Sequence, residues 1–213
     1  MTPIRVIDTG RKPAHWNVAM TAALRELHRA GRIPDSVRFH RFPPSVYRHL
    51  CWDIVAERDA LAGRLGQIGE LIGRGIANGL ARMGLPARFQ PRDQVVIGGR
   101  KIAASRCSFE GPTVVCHGHV LTGAADVHGR PATGEAVSLR ALLGRIPADE
   151  EVQGLLIAGL SHVLRRPFAN VALGDEEAEL AERICNDATG ALAIGALPHV
   201  SDGGHPAAGS VAP

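Results

Sequence analysis

The stretch that most constrains the fold is residues 87–122, where short β-prone runs alternate with tight-turn signals. Ala87–Gln90, Gln94–Ile97, Lys101–Cys107 and Thr113–Thr122 are the runs. Gly98-Gly99 and Glu110-Gly111-Pro112 separate the later ones. A Gly-Gly pair between β-prone runs is a hairpin signal, because both central residues of the favoured two-residue turn need positive φ. The segment therefore predicts an antiparallel meander, whose apolar face must be buried against another layer.

Helical periodicity supplies that layer. Between residues 64 and 83, Leu65, Ile68, Leu71, Ile72, Ile76, Leu80 and Met83 fall on one face, with Gly84 as the stop. Upstream, residues 4–8 alternate as a strand and Asp8-Thr9-Gly10 reads as its turn. Residues 14–30 keep helical spacing, and 36–42 and 50–56 are further strands. Downstream, 138–143, 149–164 and 175–186 read as helices, two of them opened by acidic residues. Arg165-Arg166 closes one of them and complements its dipole.

This pattern predicts an α+β fold, a largely antiparallel mixed sheet flanked by helices, over residues 1–197. Residues 198–213 are Gly, Ala, Pro, Ser and His with little to bury, and are expected to be a disordered tail.

Composition narrows the function. The chain has 213 residues, 45% of them hydrophobic, a formal net charge of +3 and no block of basic residues, so nucleic acid is not an expected partner. No apolar run approaches the roughly 18 residues that a membrane crossing needs, so a soluble protein is expected. Cys51, Cys107, Cys116 and Cys185 lack CxxC spacing, suggesting neither a zinc knuckle nor a disulfide framework, and a reducing cytoplasm fits. Of 24 Lys+Arg, only Lys12 and Lys101 are lysine. A lysine kept in an arginine-rich background suits a task needing a compact ammonium rather than a planar fork.

Lys101 begins a strand directly after the Gly98-Gly99 hairpin, where the strand fixes its ammonium against the sheet face. There it can offset charge developing on a carbonyl oxygen or a leaving phosphate. Gly99-Arg100-Lys101-Ile102-Ala103 resembles the GRKI element of lipoate-protein ligases and their biotin-ligase relatives. Asn17 to Leu24 resembles that family's first helix, Val37 to Ser45 its Pro-Pro strand, and Cys116-His117-Gly118-His119-Val120-Leu121 the strand lining its acyl pocket. The likeness covers roughly residues 4 to 165, in the family's order.

The resemblance implies acyl transfer, lipoyl or octanoyl, to a lysine of a small lipoyl-acceptor domain or lipoate-binding protein. The acyl group would travel as acyl-AMP made with ATP and Mg2+. Lys101 would be the catalytic clamp, and Gly99, Arg100, Lys101, Ala103, Ser105, His117, Gly118 and His119 would contact substrate or nucleotide.

Family members also carry a glycine-rich R-R-x-x-G-G-G segment after the Pro-Pro strand, whose backbone closes over the phosphates. Nothing between Pro44 and Trp52 resembles it, so the chain reads as internally shortened near residues 45–50. Loss of those backbone donors implies weakened ATP-dependent activation. The alternative is an inactive family member that binds an acceptor domain or a partner subunit. Ala104 stands where the family has glycine, His119 where it has threonine, and Thr21 where it often has aspartate.

His117 and His119 lie on one strand face, but no third metal ligand is evident, and packed or hydrogen-bonded histidines is the reading. Some octanoyltransferases of this superfamily use a cysteine beside the lysine. Cys107 and Cys116 could be imagined in that role, with buried, inert thiols as the simpler account.

Overall fold

The computed structural model describes residues 2–43, 49–61, 65–91, 93–123 and 136–187. The tail 198–213 and residues 44–48 of the shortened segment lie outside the described residues. The strands are β1 (Ile4–Arg11), β2 (Ser36–Arg41), β3 (His49–Glu57), β4 (Arg88–Gln90), β5 (Gln94–Ile97), β6 (Arg100–Glu110), β7 (Thr113–Leu121) and β8 (Phe168–Asn170). The helices are α1 (Ala14–Arg29), α2 (Leu65–Ala81), α3 (Leu139–Leu143), α4 (Asp149–Leu164) and α5 (Asp175–Asn186).

The strands form one sheet in the order β4-β5-β6-β7-β3-β2-β1-β8. Among the described strands only β1 pairs in parallel, with β2 on one side and β8 on the other. The meander β4–β7 forms as its turn glycines require: Gly98 and Gly99 both have positive φ, at 58° and 77°. The mixed, largely antiparallel α+β architecture is therefore the observed one.

Each sheet face has its own apolar core. Leu50, Trp52 and Ile54 of β3 and Val114, Cys116 and Val120 of β7 point to the side covered by Ile68, Ile72 and Ile76 of α2 and Val152, Leu156 and Leu160 of α4. The alternate residues Val55 and Val115 pack with Met20, Ala23 and Leu24 of α1 and Ala181 of α5. The period-2 alternation of strands divides these two sets.

The α2–α4 crossing explains glycines that would otherwise weaken both helices. A Cβ on Gly159 would lie 2.2 Å from the Gly75 carbonyl oxygen and 2.4 Å from the Gly79 nitrogen. The two backbones touch there, and only glycine fits.

Several local expectations are revised. Asp8-Thr9-Gly10 is not a turn: β1 continues to Arg11, with an irregular register between Asp8 and Arg11 and Gly10 at φ 66°. β8 was not expected; three residues, two of them exposed, carry too little periodicity to announce a strand. Arg166 does more than face a helix dipole. It is buried and ion-paired with Asp35, and donates to the Thr2 carbonyl at 3.0 Å. Cys107 and Cys116 face each other across β6 and β7 and form a disulfide, where the spacing had suggested unpaired thiols.

Candidate functional site

On the α1 side of the sheet, charged side chains replace the apolar core as β2, β3 and β7 run away from the Val55–Val115 pair. Arg38, fully buried on β2, donates to Asp53 Oδ2 from Nε at 3.0 Å and from Nη2 at 2.5 Å. It also reaches the Asn17 side chain at 3.3 Å, the Asn17 carbonyl at 2.9 Å and the Thr21 hydroxyl at 3.0 Å. Thr21 in turn lies 2.9 Å from Asp53 Oδ2. A buried guanidinium needs this many acceptors to offset its lost hydration.

Asp53 Oδ1 accepts from His117 Nδ1 at 2.7 Å. Burial pushes the Asp53 carboxyl up, but Arg38, with His40 and His117, outweighs it and holds the group well below the usual carboxylate range. Burial opposes the His117 charge; the Asp53 hydrogen bond and charge win and raise its pKa. His40, buried beside them, has its pKa lowered to about 3 by burial and so stays neutral.

The same face continues along β3 and β7. Cys51 pairs with His119 across the strands, and the His49 and His119 rings stack at 4.8 Å with 16° between their planes. Burial is the main cause of the low pKa values of both, about 3 for His49 and about 4 for His119, and Lys101 acts on each in the same direction. The Cys51 thiol is pushed up to about 12, first by burial and then by Asp53, and is no resting nucleophile.

Lys101 follows the Gly98-Gly99 turn, half-buried, paired with Val96 of β5 on one side and bridged to Ala136 on the other. Its carbonyl accepts from Val137 at 2.8 Å. The lysine is thus anchored through its backbone, and its ammonium extends from a fixed point.

The structure separates the residues that the sequence grouped. Lys101, His117 and His119 lie on the α1 side. Ala103 is buried in the α2–α4 core. Gly118 is opposite Trp52, and a Cβ there would sit 2.2 Å from the indole ring, so this glycine makes room for a core tryptophan. Ser105 pairs with Gly118 and, by alternation, takes the Ala103 side. Gly99 and Arg100 are exposed in the turn and at the strand start.

Sequence reasoning missed Arg38, His49, Cys51 and Asp53. A polar residue every second position in β2 and β3 was the available signal, since on a strand with a buried apolar face it marks a second, polar interior. Among the described residues no three His, Cys, Asp or Glu side chains group as a metal site, and no helix is long and apolar enough to cross a membrane.

No family model matches the chain. It is 22% identical over 176 residues to octanoyltransferase LipM of Symbiobacterium thermophilum, a match covering 55% of this chain and 64% of that protein, under two thirds of its length. Those 176 aligned positions exceed 55% of a 213-residue chain, so the relative carries residues within the matched span that this chain lacks.

Among solved structures, a lipoate-protein ligase A bound with ATP superposes with a TM-score of 0.72 at 15% identity, covering 87% of this chain and 95% of the other. A bipartite lipoate protein ligase from Thermoplasma acidophilum, solved in a study of that ligase and its E2 lipoyl domain, gives 0.71 at 14%, covering 88% and 93%. The biotin protein ligase of Aquifex aeolicus gives 0.58 at 12%, covering 78% and 70%. The chain has the fold shared by lipoate-protein ligases and biotin protein ligases.

Proposed function

We propose that this chain holds a lipoyl or octanoyl group, as its acyl-AMP, on the α1 side of β6 and β7 and passes it to a lysine of a small acceptor domain. The observation that carries the reading is the placement of Lys101. In a chain with two lysines it stands on a strand, beside His119 and His49, in a fold whose solved examples include an ATP-bound lipoate ligase and a form with bound lipoic acid.

ATP with Mg2+ would supply the activated acyl phosphate anhydride when bound. The acceptor amine attacks the acyl carbon, an amide forms, the acyl–phosphate bond breaks, and AMP leaves while the amine loses its proton. In this reading the Lys101 ammonium offsets charge on the carbonyl oxygen and the departing phosphate.

The second reading is a member that no longer activates its acyl group but binds an acceptor domain or a partner subunit. It is favoured by the connection between β2 and β3, which is only residues 42–48. Seven residues between paired antiparallel strands leave no length for a glycine-rich phosphate loop.

One experiment separates the two. The protein is incubated with an acceptor domain and either preformed lipoyl-AMP or lipoate with ATP and magnesium, and the acceptor is weighed by mass spectrometry. The transfer reading expects a lipoyl mass gain from lipoyl-AMP that is lost in Lys101→Ala, with a slower gain from ATP. Equal modification by Lys101→Ala overturns the role of the lysine. No modification from either donor, with the acceptor still bound, favours the second reading.

A further inference from the structure

The geometry points to His117 as the base that takes the proton from the acceptor lysine's nitrogen as that nitrogen attacks the acyl carbon. The inference rests on the acyl-transfer reading and adds to it the group through which the proton leaves.

Asp53 fixes which ring nitrogen of His117 is free. Nδ1 lies 2.7 Å from Asp53 Oδ1, while Arg38 and Thr21 take the other carboxylate oxygen. An ionised carboxylate only accepts, so the ring hydrogen sits on Nδ1 and the lone pair of the neutral ring on Nε2. Among the described residues Nε2 has no hydrogen-bond partner. The His117 side chain keeps 45% of its surface exposed and Asp53 keeps 3%, so the free end of the ring is the open end, with a buried acid behind it.

The ring also stands beside the place of reaction. His117 shares the α1-side face of β7 with His119, two residues and roughly 7 Å along the strand, and His119 is within electrostatic reach of Lys101. With an acyl carbonyl held by the Lys101 ammonium beside His119, an amine arriving from the open side passes His117.

The neighbouring side chains serve less well. His40 and Cys51 are buried, and the pKa values of His49 and His119 are lowered to about 3 and about 4, chiefly by burial. Around His117 stand Asp53 of β3, Arg38 and His40 of β2, Arg25 of α1 and, opposite it on β6, Arg106. Burial opposes its charge most strongly, yet the Asp53 hydrogen bond and charge outweigh burial and the two arginines, Arg38 and Arg25, and raise its pKa. A base is most effective with a pKa near the working pH, which the others are far from.

The step balances. The free amine attacks, its nitrogen gains positive charge as the C–N bond forms, and His117 Nε2 accepts one of its protons. The acyl–phosphate bond breaks with its electron pair leaving on AMP, and the imidazolium, held by Asp53, then releases the proton to water.

The test is the pH profile of kcat/KM for the acceptor domain, with preformed lipoyl-AMP as donor, from about pH 6 to about pH 9. Below the His117 midpoint both the imidazole and the acceptor lysine, with its ordinary pKa of about 10.4, must lose a proton, so the rate should rise about a hundredfold per pH unit. Above it only the lysine counts, and the rise should be about tenfold per unit. The change of slope should coincide with the midpoint of the His117 imidazole resonance. His117→Gln, whose amide can still donate to Asp53, should be about a hundredfold slower above that midpoint and follow the shallower slope throughout, with its melting temperature measured to show that it is folded. Loss of a merely structural histidine would leave the two slopes in place. A folded His117→Gln with the parent's two slopes, or a parent profile whose break is absent or away from the His117 midpoint, overturns the base and leaves the acyl-transfer reading standing. A parent chain that transfers nothing overturns both.

Discussion

His117 donates to Asp53 at 2.7 Å while Arg38 takes the other carboxylate oxygen, so one buried acid joins a half-exposed histidine to a fully buried arginine. A charge held this way stabilises the fold only while its partner is present.

Replacement of Asp53 by Asn should therefore destabilise the protein by about 3–5 kcal/mol, because Arg38 is left charged, buried and unpaired. Urea denaturation of Asp53→Asn beside Arg38→Met/Asp53→Leu checks this. The double variant, with both charges removed, should recover much of the loss. A single variant as stable as the parent would mean that the pair carries no weight in the fold.

Stability should fall as the solution is acidified from about pH 6.5. His40, with a folded pKa of about 3, binds its proton later than in the unfolded chain, so its contribution is present above the unfolded value and is lost as pH falls toward 3. Its share of the slope is about 1.4 kcal/mol per pH unit, and His49 and His119, also lowered, add to it in the same direction. Asp53, lowered in the fold, adds a further loss below about pH 4. His40→Phe should reduce the slope between pH 6 and 4 by one proton's worth in melts followed by circular dichroism; an unchanged slope would contradict a neutral buried imidazole.

His117 has the opposite sign. Its raised pKa gives stability that is complete below the unfolded value near 6.5 and is lost as pH rises through the folded value. Imidazole proton resonances should show one histidine titrating above the ordinary value, and Asp53→Asn should bring that midpoint down. A resonance that does not move in the variant would detach His117 from Asp53.

Gly159→Ala should cost about 1–3 kcal/mol even though alanine favours helix, because its methyl meets the backbone of Gly75 and Gly79. Gly154, on the same helix with open space around it, is the control: Gly154→Ala should be neutral or stabilising. Thermal melts of the two variants distinguish a close crossing from a general intolerance of helix changes.

Apart from β8, the order of strands and helices, the Gly98-Gly99 hairpin and the strand position of Lys101 were legible in the sequence, because periodicity and positive-φ turns are local properties. Alternation also placed His117 and His119 on one side. It could not say which side held the helix pair, and so Ala103, Ser105 and Gly118 were grouped with Lys101 although Ala103 and Gly118 face the core.

The polar interior beneath α1 was not legible. Asn17, Arg38, Asp53 and His117 are separated by up to 100 residues and meet only because β2, β3 and β7 are neighbours and α1 crosses them. The pairing of Cys107 with Cys116 has the same origin, since β6 and β7 set them opposite one another. The sequence by itself determined the elements other than β8, the lysine on which a function can be built and the short link between β2 and β3. The tertiary structure alone decided which side chains of different strands share a face, because that depends on strand order and register, which nonlocal hydrogen bonding and burial fix.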